Sequence, residues 1–454
     1  MANLMESDLV HRVTGSPLLR VLLLGFLVLL LLIPTRMVMA IIQERGHTRD
    51  EAVREITSKW GDSQILAGPR IQVPYLVTHV ETEPDGTEKV RKETNFAHFL
   101  PEKLEVRAAL AAEERYRGIF EVPVYGMTAE FTGTFERPDF SGWDVAPEDI
   151  LWERATLTVS VSDVRGIDGG AVLSWNGSPL HFEPGLGESS SGGGGIHVPL
   201  DLKAVTGEAS FAFSLSLKGS RSAFFTALGK ATRVKIEGNW AAPSFNGNWL
   251  PSERDLGAEG FSAAWETSYL GRNFPQRWHG GGGWDEAVAE SKVGVDLITP
   301  VDEYRMALRS VVYAPLFFVL TFVTLWLFEV LVGFRVHPVQ YLLVGSAMCL
   351  FYLLELSLAE HIGFALAYTV ATLAVIGAVA PYCYSVLASL HRASVMGIVL
   401  ATLYGYLFVV LKNQDYALLA GSLGLFAALA TVMYLTRNVD WNAGRMPRGD
   451  GRGD

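Results

Sequence analysis

Two glutamates, Glu329 and Glu355, lie within long apolar stretches of the sequence. A charge at the centre of a membrane helix costs about 2.5–3.5 kcal/mol on insertion scales, so such residues usually face a bundle interior. Carboxylates in that position can relay protons or bind ions. Both glutamates lie nearer one end of their stretch than its middle, and no continuous chain of relay groups joins them. The pattern therefore favours local pairing, with Arg335 or His337 as partner of Glu329 and His361 as partner of Glu355.

The other polar residues lack the spacings that common enzymes need. The sequence has no His-Glu-x-x-His pair, no short His/Cys ligand spacing, no Gly-x-Ser-x-Gly elbow and no P-loop ending. A hydrolase would require an unfamiliar group, such as His98 with Asp302 and Glu303. We therefore predict that the chain is not an enzyme and holds no metal and no cofactor.

The charges are distributed very unevenly along the 454 residues. Residues 43–305 contain 39 acidic and 26 basic residues, whereas the two ends are apolar and nearly neutral. This distribution excludes an ordinary soluble enzyme, a disordered chain and a basic nucleic-acid-binding protein. We predict an α+β membrane protein with an N-terminal transmembrane anchor helix, a large mostly-β exported domain and a C-terminal five-helix transmembrane bundle.

A bilayer core takes about 20 apolar residues as a helix, and five C-terminal stretches meet this length. The predicted transmembrane helices are residues 311–334, 341–358, 362–387, 395–411 and 417–435. Short separators require neighbouring helices to be antiparallel. The predicted domains are 1–42 (cytoplasmic N-terminus and first span), 43–305 (exported domain), 306–435 (the five helices) and 436–454 (cytoplasmic tail).

The first span lies between Leu18 and Ile42, and Pro34 and Arg36 interrupt it. Residues 38–40, Val-Met-Ala, would also fit the cleavage site of a signal peptide. The length of the segment and the position of Arg36 favour an uncleaved anchor, and cleavage stays the alternative. Apolar residues at helical spacing up to Trp60 predict that this helix continues beyond the membrane and ends at Gly61.

Basic residues predict the orientation. Six spans place both termini on one side, and cytoplasmic segments are enriched in Lys and Arg. One side holds eight arginines, whereas the short loops of the other side hold only Lys412. The arginines are Arg12, Arg20, Arg335, Arg392, Arg437, Arg445, Arg448 and Arg452. Both termini are therefore predicted to be cytoplasmic, with residues 43–305 on the periplasmic side of a bacterial inner membrane.

Strand patterns dominate the exported domain. Residues 122–135, 155–164, 211–217 and 233–240 alternate between apolar and polar side chains, and Gly, Pro, Asn and Asp separate them. Period-two segments of this kind are typical of antiparallel sheets with one buried face. We predict a sandwich-like, mostly-β domain.

A stripe of small residues, Ala420, Gly424 and Ala428, recurs every four positions of the last span. Small residues at this spacing let membrane helices approach closely. The stripe predicts a packing contact either within the bundle or with a second copy, so a homo-oligomer stays open.

Several motifs are specific enough to indicate a family. The most specific one is residues 335–345, RVHPVQYLLVG, followed by FYLL at 351–354 and EHIGF at 360–364. These motifs resemble those of the CreD family of bacterial inner-membrane proteins. The resemblance extends from Leu32-Ile33-Pro34 to residues 435–441 in the same order. The candidate functional motif combines the two intramembrane glutamates, Glu329 and Glu355, with residues of these matching motifs, namely Arg335, His337, Pro338, Gln340, Tyr341, Glu360 and His361.

The resemblance implies a role in cell-envelope integrity and stress response, with no established enzyme activity or ligand. We expect a non-enzymatic protein whose periplasmic domain binds an envelope component. Expected partners are membrane lipids and an envelope protein, peptidoglycan or lipid, but no nucleic acid. The alternative is a transporter or channel component that uses Glu329 and Glu355.

Overall fold

The computed structural model describes most of the chain, namely residues 17–82, 88–189, 193–280, 283–298, 303–332, 336–413 and 416–437. The chain divides into two compact units. One unit is formed by residues 1–49 and 301–454 and is called the helical unit; residues 50–300 form the β unit. Where the membrane begins along the chain, and with it the predicted limits of the exported domain, stays a prediction.

The predicted architecture, an N-terminal apolar helix, a mostly-β middle and an apolar helical end, is confirmed. The described helices are α1 Pro17–Trp60, α2 Asp285–Glu290, α3 Glu303–Val312, α4 Ala314–Val332, α5 Pro338–Ile362, α6 Phe364–Leu387, α7 Leu390–Lys412 and α8 Ala417–Thr436. Among the described residues, α1 and α5 to α8 are each long and apolar enough to cross a membrane, and α3 with α4 gives a sixth span if the pair counts as one.

Helix α4 lies within the span predicted over residues 311–334, and α3 precedes it at an angle. Helix α3 ends at Val312, α4 begins at Ala314, and the two axes differ by 43°. Pro315 explains the break, because proline has no N–H to donate to the Val311 carbonyl and it disfavours helical geometry at the residue before it. Proline is tolerated in the first turn of the new helix, where N–H groups have no helical acceptor.

Helix α1 continues to Trp60 and ends before Gly61, as predicted. Gly61 adopts a φ of +141°, and a Cβ there would lie 2.5 Å from the Lys218 carbonyl oxygen, so both backbone and space require glycine. Within the β unit, the Trp60 indole donates to the Tyr125 carbonyl at 3.3 Å, and the Arg115 guanidinium lies 4.4 Å from its ring centroid.

The described β unit contains two sheets. Sheet A consists of β1 Gln64–Thr82, β2 Glu88–Phe99, β5 Ala155–Val161, β8 Glu183–Pro184, β9 Gly195–Leu200, β11 Ser222–Thr226, β13 Pro243–Gly247, β16 Arg277–His279 and β17 Lys292–Leu297. Sheet B consists of β3 Lys103–Arg117, β4 Phe120–Phe135, β6 Val172–Trp175, β7 Ser178–His181, β10 Ala209–Ser220, β12 Ala231–Gly238, β14 Glu253–Leu256 and β15 Phe261–Ser268. Of the strand pairs in the described sheets, β1 with β11 and β3 with β12 are parallel, and the others are antiparallel.

The sheets face each other across one apolar core. Phe211, Phe213, Leu215 and Leu217 are buried on alternate positions of β10, which is the period-two burial that the sequence predicts. From β4, the Phe131 ring lies 6.0 Å from a phenylalanine of sheet A, Phe225 on β11. The β unit is thus a sandwich.

Two buried polar side chains also connect the sheets. The Tyr125 hydroxyl of β4 donates to the Ser222 carbonyl of β11 at 2.7 Å. The fully buried Gln64 amide donates to the Asp163 and Lys218 carbonyls at 3.1 and 3.0 Å. Because buried polar groups are costly without partners, these bonds fix the relative position of the two sheets.

His98 on β2 stacks on Trp278 of β16, with ring centroids 5.1 Å apart. Burial, and then the nearby Arg70, lower the pKa of His98 to about 3. In an unfolded chain the histidine pKa is about 6.5, so between these values the unfolded state binds the additional proton. Protonation therefore favours unfolding, and the stability contribution is lost as pH falls from 6.5 towards 3.

We expect the free energy of unfolding of the β unit to decrease as pH falls below about 6.5, and His98→Gln to reduce this dependence. Thermal unfolding of the full chain in detergent, followed by near-ultraviolet circular dichroism between pH 7.5 and 4.5, measures it. The control is His181→Gln, since His181 is exposed on β7. An unchanged pH dependence in His98→Gln would contradict this account of the residue.

Candidate functional site

Glu329 of α4 forms an ion pair with α1. Its carboxylate is 5% exposed, and Arg20 Nη1 lies 2.5 Å from Oε2. The Val336 N–H donates to the other oxygen, Oε1. The predicted partner His337 is therefore wrong, and Arg335, the other predicted partner, lies outside the described residues. Sequence spacing gave no signal for Arg20, because 309 positions separate it from Glu329.

Three residues of the candidate motif build the start of α5. His337 is the N-cap, and its Nδ1 accepts a hydrogen bond from the Val339 N–H at 3.3 Å. The Gln340 side chain accepts one from the His337 N–H at 2.9 Å, and Pro338 occupies the first turn. This reciprocal arrangement is a capping box, which satisfies N–H groups that the helix itself leaves unpaired.

Tyr341 completes this end of the bundle. The side chain is 3% exposed, and its ring meets Phe322 of α4 edge-on, with centroids 5.3 Å apart. Tyr341, Glu329, Arg20 and His337 line a pocket of about 390 Å³, whose other walls are apolar residues of α1 and α5. The candidate residues around Glu329 thus come together, and every contact seen among them holds helices in place.

One face of α1 packs against the bundle. Leu27, Leu31, Thr35, Val38 and Ile42 are buried at helical spacing, whereas the opposite face is exposed. At the contact with α5, a Cβ on Gly345 would lie 2.2 Å from a terminal methyl group of Leu31. Glycine at this position therefore permits the close approach of the two helices.

A second ion pair joins α1 to the other end of α5. The Glu360 carboxylate accepts a hydrogen bond from the Tyr304 hydroxyl at 2.9 Å, and Arg45 Nε lies 3.7 Å from the same oxygen. The Arg49 guanidinium lies 5.5 Å from the centroid of the Tyr304 ring. At a rise of 1.5 Å per residue, Arg20 and Arg45 are about 37 Å apart along α1, so α1 is paired with the bundle at two well-separated points.

Glu355 lies inside the bundle. The residue is 0% exposed, and the Ser310 hydroxyl of α3 donates to Oε2 at 2.8 Å. His361, the predicted partner, is exposed and does not pair with Glu355, so that pairing is wrong. Sequence spacing did not indicate Ser310 as the partner, because 45 positions separate it from Glu355.

The small-residue stripe of α8 contacts α7. A Cβ on Gly424 would lie 2.8 Å from Tyr406 Cε1, and the Tyr406 hydroxyl donates to the Ala420 carbonyl. Ala428 is partly covered like Ala420 and Gly424, whereas most large apolar side chains of α8 are exposed. The stripe thus serves packing within the bundle, one of the two roles that the sequence left open.

The hydrolase residues considered above are not brought together in one unit. His98 belongs to the β unit and Glu303 begins α3 of the helical unit, whereas Asp302 lies outside the described residues. Within the described part of the chain, no three His, Cys, Asp or Glu side chains are grouped so that they could hold a metal ion.

Comparison with known proteins gives one strong result. A family model described as "Inner membrane protein CreD" matches residues 16–442. The inner membrane protein CreD of Escherichia coli (strain K12) is 35% identical to this chain over 429 residues, which cover 93% of each protein.

Solved structures give only weak likenesses. A crystal structure of an M1 zinc metallopeptidase from Deinococcus radiodurans, bound to a Tyr-Ser-Ala substrate, matches 44% of this chain and 42% of its own. The identity is 8% and the TM-score 0.18. A second structure of an M1 zinc metallopeptidase from the same organism matches at 10% identity with a TM-score of 0.16. These likenesses carry no argument about fold or activity.

We expect Arg20→Glu to destabilise the helical unit, because it places two carboxylates together and leaves Glu329 without its cation. A loss of about 2 kcal/mol, or roughly 4–8 °C in Tm, is expected for a partly exposed pair. Adding Glu329→Arg should restore only part of the loss, because the Val336 N–H then lacks its carboxylate acceptor.

Thermal unfolding of the full chain in detergent measures these differences. Arg36→Glu is the matched control, since Arg36 is an exposed arginine of the same helix. If the Tm of Arg20→Glu is no lower than the Tm of this control, the ion pair does not hold α1 to the bundle.

Proposed function

The chain belongs to the CreD family of inner membrane proteins, as its motifs predicted, and we propose that it maintains the cell envelope without catalysing a reaction. In this proposal the β unit binds an envelope component and the helical unit anchors it. The observation that carries the proposal is the division of a multi-pass inner-membrane chain into apolar helices and a β-sandwich with a core of its own. Sandwich domains commonly serve recognition, but the fold alone does not specify a ligand.

The proposed orientation places both termini in the cytoplasm and the β unit in the periplasm. Its support is the excess of arginine in the segments predicted to be cytoplasmic, which include Arg20 at the start of α1. The net charge of the β unit fits this placement, because acidic domains interact weakly with the anionic surface of the membrane.

A pocket in the β unit provides a position for a crosslinking probe. This pocket of about 410 Å³ lies beside β8 and β9, at an edge of sheet A, and Leu215 on β10 of sheet B also lines it. Its walls are mostly apolar side chains and the backbone of glycines, and Glu183 is the charged residue among them. Val164 lines it and is 42% exposed, so a probe at this position reaches both the pocket and the solvent.

We expect a photoreactive amino acid at Val164 to capture an envelope component in intact cells. The control position is Leu256, which is 54% exposed on β14, an edge strand of sheet B, and does not line this pocket. Mass spectrometry of the crosslinked product identifies the captured protein, peptidoglycan fragment or lipid. A specific adduct at Val164 alone, together with increased detergent and antibiotic sensitivity of a deletion strain, would support the proposal. If neither position captures an envelope component and deletion changes neither sensitivity, the proposal fails.

A transporter or channel component is the second candidate. The observation in its favour is Glu355, a fully buried carboxylate for which no ion pair is seen among the described residues. Intramembrane carboxylates of this kind often mark ion or proton paths. The other predicted path residue, Glu329, is neutralised by Arg20 and gives this candidate no support.

The second candidate predicts that Glu355→Gln abolishes the protection that the gene gives to a deletion strain, while the amount of protein in the membrane stays normal. Survival on detergent plates and immunoblots of membrane fractions measure the two quantities. A fully protective Glu355→Gln variant would reject transport through this residue and leave the envelope-binding proposal intact.

A further inference from the structure

The interior of the bundle contains a carboxylate that lacks a counter-charge. Glu355 Oε2 receives the Ser310 hydroxyl at 2.8 Å, but Oε1, although buried, has no hydrogen-bond partner in the described part of the chain. Two other carboxylates of the bundle helices lie against arginines, Glu329 against Arg20 and Glu360 against Arg45. An uncompensated charge in an apolar interior costs several kcal/mol, so the arrangement is incomplete as it stands.

Two tyrosine hydroxyls near Glu355 are also without partners. Tyr352 of α5 is 1% exposed and Tyr404 of α7 is 0% exposed, and neither hydroxyl makes a hydrogen bond within the described residues. Tyr352 lies three residues before Glu355, on the same side of α5, and the Tyr404 ring packs on the neighbouring Phe351 with centroids 4.4 Å apart. A third tyrosine, Tyr368 of α6, differs because its hydroxyl donates to the Tyr404 carbonyl at 2.7 Å. Three unpartnered oxygen atoms therefore share one buried region.

The helix break lies beside this region. Ser310 is three residues before Tyr313, where α3 and α4 meet at 43°. Pro315 leaves the Val311 carbonyl without its helical donor, and the Leu316 N–H bonds to the Tyr313 carbonyl at 3.1 Å. Irregular backbone is tolerated at membrane depth only where it is buried in protein or lines a cavity, and broken helices often form ion sites there.

The positively charged neighbour does not complete the cluster. Arg309 precedes Ser310 in the chain, yet among the described residues it forms no ion pair with Glu355. Its Nη1 atom is itself buried without a partner.

We propose that Glu355, Ser310, Tyr352 and Tyr404 bind one monovalent metal cation, such as Na⁺ or K⁺, inside the bundle. The carboxylate supplies one negative charge, and the hydroxyls supply neutral oxygen atoms, which are the ligands that hard cations prefer. A proton on Glu355 would neutralise the carboxylate but leave both tyrosine hydroxyls without partners. A divalent ion would leave one uncompensated positive charge in the apolar interior.

The proposal does not depend on the envelope role of the β unit, because all four residues belong to the helical unit. Cation binding could stabilise the bundle or accompany transport, and the site itself is the same in either case. If the protein binds no cation, the envelope proposal is unaffected. If the β unit binds no envelope component, the cation proposal is unaffected.

The test uses the full chain purified in detergent. Thermal unfolding is followed at pH 7.5 while NaCl or KCl replaces N-methylglucamine chloride at constant ionic strength. We expect a saturable rise in Tm of about 3 °C or more with Na⁺ or K⁺, because a ligand that binds only the folded state stabilises it. Glu355→Gln should abolish the rise. Glu329→Gln, which removes a carboxylate that already has a cationic partner, should retain it.

A direct binding measurement uses ²²Na⁺ and ⁸⁶Rb⁺, the latter as a probe for K⁺, with the same protein in a scintillation proximity assay. We expect saturable binding of one of the two ions, and Ser310→Ala and Tyr404→Phe to weaken it about tenfold. These milder variants decide the question if Glu355→Gln does not fold. Absence of saturable binding by the folded wild-type chain would overturn the proposal, and so would undiminished binding by Glu355→Gln. A wild-type Tm that responds to neither cation would overturn it as well.

Discussion

The helical unit depends on the cost of placing charge in an apolar surrounding. Each carboxylate of the bundle must find hydrogen-bond donors or a cation, because water is not there to solvate it. Glu329 pairs with Arg20 and accepts a hydrogen bond from the Val336 N–H. Glu360 accepts a hydrogen bond from the Tyr304 hydroxyl, and Arg45 lies nearby. These donors come from segments far apart in the chain, so satisfying the charges also determines which helices are neighbours. Between the two ion pairs, Leu31 against Gly345 supplies the close apolar contact.

Four residues of the candidate motif have structural roles at the start of α5. His337, Pro338 and Gln340 form the N-terminal cap of α5, and Tyr341 packs on α4 beneath the Glu329 pair. The cap satisfies backbone groups at a point where the chain turns back into the bundle, where an unpaired N–H would be costly. The cap makes α5 begin at Pro338, and the Val336 N–H just before it donates to the Glu329 carboxylate.

The β unit solves a different problem, since a large sandwich in water is held by apolar burial. Its alternating strands place Phe131, Phe213 and Phe225 between the sheets, and Gln64 and Tyr125 link the sheets through buried hydrogen bonds. Buried polar groups of this kind contribute less to stability than the apolar core does, but they specify one arrangement because every other arrangement would leave them unpaired. The acidic residues of this unit lie largely on its surface, where solvation is inexpensive.

The sequence by itself determined the properties that follow from local pattern. Apolar length predicted the membrane helices, period two predicted the strands at 122–135 and 211–217, and the motifs predicted the family. It also predicted the end of α1 at Gly61, because only glycine tolerates that backbone.

Only the tertiary structure decided the partners of the charges. Glu329 pairs with Arg20 and not with the nearby His337, and Glu355 accepts from Ser310 and not from His361. The bend between α3 and α4, at the start of the span predicted over residues 311–334, was likewise visible only in the structure. The physical reason is that hydropathy and periodicity report what each segment buries, whereas the partner of a buried charge depends on which distant segment reaches it. That choice is made by packing, which no single stretch of sequence contains.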